Sequence, residues 1–286
     1  MGGMPPHATP LIQLDPATVE QHFGRTGFLV RHELQDHPLT RLEALAELAD
    51  SLPEDRLEHN LGSIGETMPG GEVPRADLTP GEIVNTIETN GCWMVMGIHG
   101  IAPYQELLDE LFEGIVRTLP AAQGEVRRRQ GVIFIAAPNS TTPTHIDGEQ
   151  SFLLQITGTK RISIGEFTDD ETAHREIDRY CGGGHRNIAD LPQRAEEFDL
   201  SPGVGAHVPA LTPHLVKTPA GVSISMSVGF ETDALIRRAA VHRANDRLRR
   251  LGITPARPGT RPRGDRAKER LMTTASSVKR LAGRRG

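Results

Sequence analysis

Apolar positions recur with a helical period in the first half of the chain and with the alternation of strands from Gly131 onward. Residues 16–23 read as a short helix, followed by a strand at Gly27-Phe-Leu-Val. Pro38 opens the clearest early helix. Leu39, Leu42, Leu45, Ala46, Leu48 and Ala49 recur along it at helical spacing, and the proline stands where its missing N–H costs little. Gly and Pro density over residues 62–80 predicts a loop placed to cover a site. Thr79-Pro-Gly-Glu82 reads as a helix start and residues 93–98 as a strand or buried turn. Residues 104–119 form a second amphipathic helix through Leu107, Leu108, Leu111, Phe112, Ile115 and Val116.

Beyond Gly131, residues 132–136, 152–156 and 161–164 are short β-rich runs separated by Pro138-Asn139, Gly148 and Gly158, the pattern of a sandwich or barrel. Residues 165–201 are an acidic insertion with a helix at 170–180 and a hinge at Gly182-Gly-Gly184. Strands resume at 204–208. The run 222–230 alternates without a break, so one face must be buried, while the face of Ser223, Ser225, Ser227 and Gly229 either lines a cavity or meets solvent. Two helical stretches follow, 233–251 and 265–281, joined by a semi-rigid linker rich in proline. The expected class is mainly β with flanking helices. Its parts are a helical and mixed lead-in at 1–127, a β core at 128–232 and a basic helical extension at 233–286.

Composition narrows the function classes. Cys92 and Cys181 stand alone, which excludes a disulfide framework and a thiolate zinc site. One Trp and two Tyr are too few for a base-stacking platform, so nucleic acid is not the expected partner. No apolar run has membrane length, and the start Met1-Gly-Gly-Met-Pro-Pro-His lacks the marks of a signal peptide, so a cytoplasmic location is expected. Charge is split sharply. Residues 237–286 carry 16 Lys plus Arg against 3 Asp plus Glu, which leaves 16 against 34 in residues 1–236. A basic arm of that kind folds on the acidic body of its own or a sister chain, or reaches an acidic partner. The apolar stripe of Leu235, Ile236, Ala239, Ala240, Ala244 and Leu248 favours packing, and with it a homodimer through residues 233–251.

The chemistry centres on Thr141-Thr-Pro-Thr-His-Ile-Asp147, where a Pro-containing turn precedes an apolar strand. His145 and Asp147 are two residues apart, so in extended backbone both side chains leave on one face. A third ligand must come from another strand, and His214 opens one after the turn-rich approach Pro209-Ala-Leu-Thr-Pro. Two His and one carboxylate with open positions suit non-haem Fe(II) oxygenases. Glu149 shares the alternating face and is a candidate further ligand. His174, His185 and His207 read as structural or surface residues.

Residues 142–161 resemble the corresponding segment of the JmjC or cupin-like Fe(II)- and 2-oxoglutarate-dependent oxygenases, similar to the factor-inhibiting-HIF type of protein hydroxylase. The residues that carry the resemblance are Thr142, His145, Asp147, Gly158 and Lys160, with Pro202-Gly203, Val208-Pro209 and His214 as a second block. It implies a double-stranded β-helix (jelly-roll, cupin) core over about residues 128–232, with Fe(II), 2-oxoglutarate and O2 as cofactor and cosubstrates. It also implies that Lys160, helped by Thr142, holds the distal carboxylate of 2-oxoglutarate. Ser151 and Gly229 stand where the asparaginyl hydroxylases carry Asn, and with Ser227 they are the remaining candidates for the cosubstrate wall. The resemblance implies a side chain of a peptide or protein as substrate, a natural-product precursor peptide being one such, and relatives pair through C-terminal helices. Two rival readings are a non-catalytic cupin-like binding module and a cupin metal enzyme, such as an isomerase, that does not use 2-oxoglutarate.

Overall fold

Antiparallel pairing sorts the strands into two facing sheets in a computed structural model, which describes residues 10–62, 64–68 and 77–282, with 274–282 as backbone only. The larger sheet runs in the order β1 (Ile12–Gln13), β2 (Phe28–His32), β10 (Val204–Val208), β7 (Gln150–Thr157), β12 (Ser223–Thr232), β5 (Val126–Ala136), β4 (Cys92–Gly97) and β3 (Leu57–Leu61). The smaller runs β6 (Thr141–His145), β11 (His214–Lys217), β8 (Lys160–Glu166) and β9 (Gln193–Leu200). The lead-in contributes β1 to β4 to the larger sheet, and the expected boundary at 127/128 falls inside β5.

Alternation explains how the larger sheet is used on both sides. On β12, Ile224, Met226, Val228 and Phe230 enter the main core, to which α2 (Leu42–Ser51), α3 (Pro80–Asn85) and α4 (Ala102–Thr118) also contribute side chains. Each such buried side chain contributes roughly 1.5–3 kcal/mol of transfer free energy. Ser223, Ser225 and Ser227 point the opposite way, toward the smaller sheet, and Ser223 and Ser225 are buried. Of the two alternatives left open by the sequence, the face is an interior one, and Ser227, half-buried, reaches a cleft between the sheets. On β7, Phe152 and Leu154 join the main core, whereas Leu153 packs with Ile162, Ile164, Phe198, Leu200, Ala206 and Val208 between the sheets.

Several elements depart from expectation for identifiable reasons. Pro38–Thr40 is a single 3-10 turn, Arg41 is extended (φ −75°, ψ 148°), and the helix proper begins at Leu42. The proline taken as part of a turn, Pro143, lies inside β6, which tolerates it because β6 is an edge strand. β9 is unmarked by apolar alternation because it too is an edge strand, and only Phe198 and Leu200 are buried. β3 also went unread. Part of the loop predicted as a cover, residues 63 and 69–76, lies outside the described residues. Its described part runs along β6: Thr144 N–H donates to Glu66 O at 2.8 Å, and Lys217 Nζ meets Glu66 Oε1 at 2.6 Å.

The C-terminal extension packs on its own chain. α6 (Asp233–Arg250) starts at the cap residue Thr232, whose hydroxyl accepts from Leu235 N–H, and it lies against α5 (Asp170–Cys181) and α7 (Pro262–Ala282). Leu235 joins Ile146, Ile177, Ala210 and Leu211, while Ala240 and Ala244 pack on Met272. The buried part of the stripe that favoured a dimer is therefore covered from within. No helix among the described residues is long and apolar enough to cross a membrane.

Candidate metal centre and cosubstrate cleft

Strand register brings the two histidines together across 69 positions of sequence. β6 and β11 pair antiparallel with His145 opposite His214, and the rings stand 4.0 Å apart. Each Nδ1 faces a backbone carbonyl, Pro143 O at 2.7 Å and Thr212 O at 2.9 Å. A carbonyl only accepts, so Nδ1 carries a proton in both rings, and in the neutral imidazole the lone pair is on Nε2. Both lone pairs point at one carboxylate oxygen: Asp147 Oδ2 lies 3.6 Å from His145 Nε2 and 3.4 Å from His214 Nε2. The approach to His214 is held by the same segment, since Leu211, strained at φ 62°, donates its N–H to Asp147 O at 2.7 Å.

The donor set fits a first-row divalent ion. Donors about 2.1 Å from such an ion stand about 3 Å apart when adjacent, close to the separations seen, and two imidazoles with one carboxylate leave open positions. Protonation agrees. Burial, aided by the Arg186 charge and His214, brings His145 down to about 4. Burial works to raise Asp147, but in the acid range where it titrates the protonated His145, together with Arg186, pulls harder, and its carboxyl stays well below the usual range. Near neutral pH the His145 imidazole and the Asp147 carboxylate are thus already in the forms a metal requires.

Lys160 shares the cleft, which is lined by Thr142, His145, Asp147, Ser151, Lys160, Arg186, His214 and Ser227 with an apolar wall of Phe134, Leu153, Ile162, Val208 and Val216. Gly158 sets its position. The tight turn from β7 to β8 needs φ +68°, and a side chain there would strike Val222 O. Lys160 is only 5% exposed, which rules out an edge lysine in solvent. Its Nζ donates to Ser225 Oγ at 2.7 Å and sits 5.2 Å from the centre of the Phe134 ring. Burial brings its pKa down to about 7.

Other candidates divide. Ser151 and Ser227 line the cleft, whereas Gly229, paired opposite Ser151, packs on Gln130 and Glu149 and is not part of the lining. Glu149 does not join the converging donors; its Oε1 accepts from Gln130 Nε2 at 2.8 Å, and burial together with Asp147 pushes its carboxyl up to about 7. His207 is structural as expected. It is buried among Phe23, Phe28 and Phe152, faces Ser151 O through Nδ1 and accepts Gly24 N–H at Nε2. His185 accepts Asn187 N–H, again a local role. Arg186 went unread because no motif spacing marks it; the only signal was a lone Arg just after the Gly182-Gly-Gly184 hinge. A larger groove of about 750 Å³ lies along β1, β2 and the end of α4, but none of the converging metal donors lines it.

Residues 123–236 match the family model of the JmjC domain. None of the curated proteins matches the chain. Among solved structures, Escherichia coli ycfD is similar at 18% identity with a TM-score of 0.52, over 92% of this chain and 68% of that one. The Escherichia coli ribosomal oxygenase YcfD gives 17% and 0.52 over 92% and 67%. The same protein in complex with cobalt and 2-oxoglutarate gives 17% and 0.52 over 91% and 65%. The chain thus spans about two thirds of the length of these structures, and at such identity the likeness establishes the fold.

Proposed function

We propose, from the match of residues 123–236 to the JmjC domain model, that the chain is a 2-oxoglutarate-dependent oxygenase that hydroxylates a C–H of an amino-acid side chain in a protein or peptide. The observation that supports this most is the convergence of His145, Asp147 and His214 in one cleft with a buried Lys160. Fe(II) bound there supplies the redox chemistry that couples decarboxylation of 2-oxoglutarate by O2 to hydroxylation. The protein's own contribution is placement. Three donors hold the metal, Lys160 and Thr142 receive the distal carboxylate, and Ser151 and Ser227 form part of the wall with Gly229 behind it. Phe134, Leu153, Ile162, Val208 and Val216 keep water from that end.

A macromolecular substrate is supported by the structural neighbours, described as ribosomal oxygenases. A buried lysine in the same cleft as three metal donors counts against both a bare binding module and an enzyme that dispenses with 2-oxoglutarate. A second copy of the chain is a proposed partner. The test is anaerobic titration with Fe(II) and 2-oxoglutarate, followed by turnover to succinate. A weak visible charge-transfer band is expected in the wild type, with turnover abolished in His145→Ala and Asp147→Ala while the fold persists. Full turnover by Asp147→Ala sinks the assignment.

A further inference from the structure

Asp147 presents its two oxygens to different neighbours. Oδ2 faces both histidine Nε2 atoms, whereas Oδ1 lies 3.1 Å from Arg186 Nη1. We propose that Arg186 is a positioning residue that holds the outer oxygen of Asp147, so that this carboxylate takes the metal through Oδ2 alone and the remaining positions stay open. The inference rests on the metal reading above and deepens it. An unrestrained carboxylate binds an ion through one oxygen or swings to use both. Occupying Oδ1 with a charge-assisted hydrogen bond opposes that swing and fixes the carboxylate plane.

The backbone shows that the contact is built into the fold. Ile146 N–H donates to Arg186 O and Ile188 N–H to Thr144 O, each at 3.1 Å, so residues 186–188 lie along β6 with Asn187 opposite His145. That pairing sets the Arg186 backbone beside the ligand segment. The far end is equally held, because Asn187 Nδ2 donates to Met68 O and Arg179 Nη2 to Asn187 O. The acidic insertion therefore delivers a cation to the Asp147 carboxylate. A planar guanidinium keeps its orientation toward a carboxylate, which the round ammonium of lysine does not.

Arg186 is 40% exposed, so its truncation leaves no buried cavity, and melting curves of Arg186→Ala and Arg186→Lys serve as the folding control. The experiment measures Co(II) binding by calorimetry and the visible band of the anaerobic Fe(II) and 2-oxoglutarate mixture. Arg186→Ala is expected to weaken Co(II) by about 10- to 100-fold and to lose band intensity at saturating metal, with partial recovery in Arg186→Lys. Equal Co(II) affinity in wild type and Arg186→Ala overturns the proposal. So does unchanged Co(II) affinity with weakened 2-oxoglutarate, which would make Arg186 a cosubstrate contact. If the wild type itself shows no His145-dependent Co(II) binding, the metal reading falls and takes this inference with it.

Discussion

On the proposed function, Lys160 concentrates the chemistry of the cosubstrate end in one buried amine. Burial lowers its pKa to about 7, and its hydrogen-bonded partner is the neutral Ser225 hydroxyl. A carboxylate brought beside it stabilises the charged form and raises the pKa, so binding of 2-oxoglutarate takes up a proton wherever the free protein has lost it. Below pH 7 the lysine is already charged and no uptake occurs. Above pH 7 affinity is expected to fall about tenfold per pH unit until the pKa of the bound state is reached. Calorimetry in buffers of different ionisation enthalpy measures the proton directly, and binding without uptake at pH 8 refutes the pairing. Lys160→Ala is expected to cost about 2 to 5 kcal/mol of cosubstrate affinity while Co(II) binding hardly changes.

At the scale of elements, α6 acts as a brace for α5 and through it for the Arg186 segment. The fully buried Asp178 on α5 faces His242 Nδ1 at 2.7 Å and accepts from Arg249 Nε at 2.9 Å and, more distantly, Asn245 Nδ2 at 3.4 Å. Removing Arg249 leaves Oδ2 of that buried carboxylate without its charged partner, with His242 and Asn245 still at Oδ1. The expected loss is about 2 to 3 kcal/mol in denaturant unfolding, below the full range for a buried pair because Arg249 keeps 31% exposure. The neighbouring pair Arg250–Asp246 is the control, since Arg250 is mostly exposed and Arg250→Ala should cost under about 1 kcal/mol. Equal losses in the two variants would show that α6 does not brace α5 through Asp178.

Over the whole molecule, part of the charge split is settled within one chain. Arg249 meets Asp178 and Arg257 meets Asp170, so the basic extension lies on the acidic insertion, as one of the sequence-level alternatives held. The large apolar side chains still exposed in the described part of this extension are Leu251, Ile253 and Leu271, around the connection from α6 to α7. A homodimer through this extension is proposed to use them, beside the half-buried Ile236, Ala239 and Leu248, rather than the buried part of the stripe. Light scattering at micromolar concentration is expected to report a dimer that the double change Leu251→Glu and Leu271→Glu converts to monomer. A monomeric wild type, or a dimer indifferent to the change, removes the pairing surface.

The candidate donors His145 and Asp147 were legible in the sequence because they stand two residues apart, at the end of β6 and just beyond it, and Gly158 fixes the turn before Lys160, whereas His214 lies 69 positions away and joins them only through the pairing of β11 with β6. The alternation of β12 likewise determined which of its residues share a face. Its side of the sheet was decided only by packing, since serines facing a second sheet and serines facing water have the same pattern. Edge strands β3 and β9 escaped detection because an edge strand need bury only one or two side chains. Arg186 escaped because its role depends on where a 37-residue insertion returns to β6, and no residue within reach of Asp147 along the chain encodes that return. The fate of the α6 stripe was likewise tertiary: periodicity shows that a helix face will be buried, but which surface covers it depends on where α5 and α7 lie.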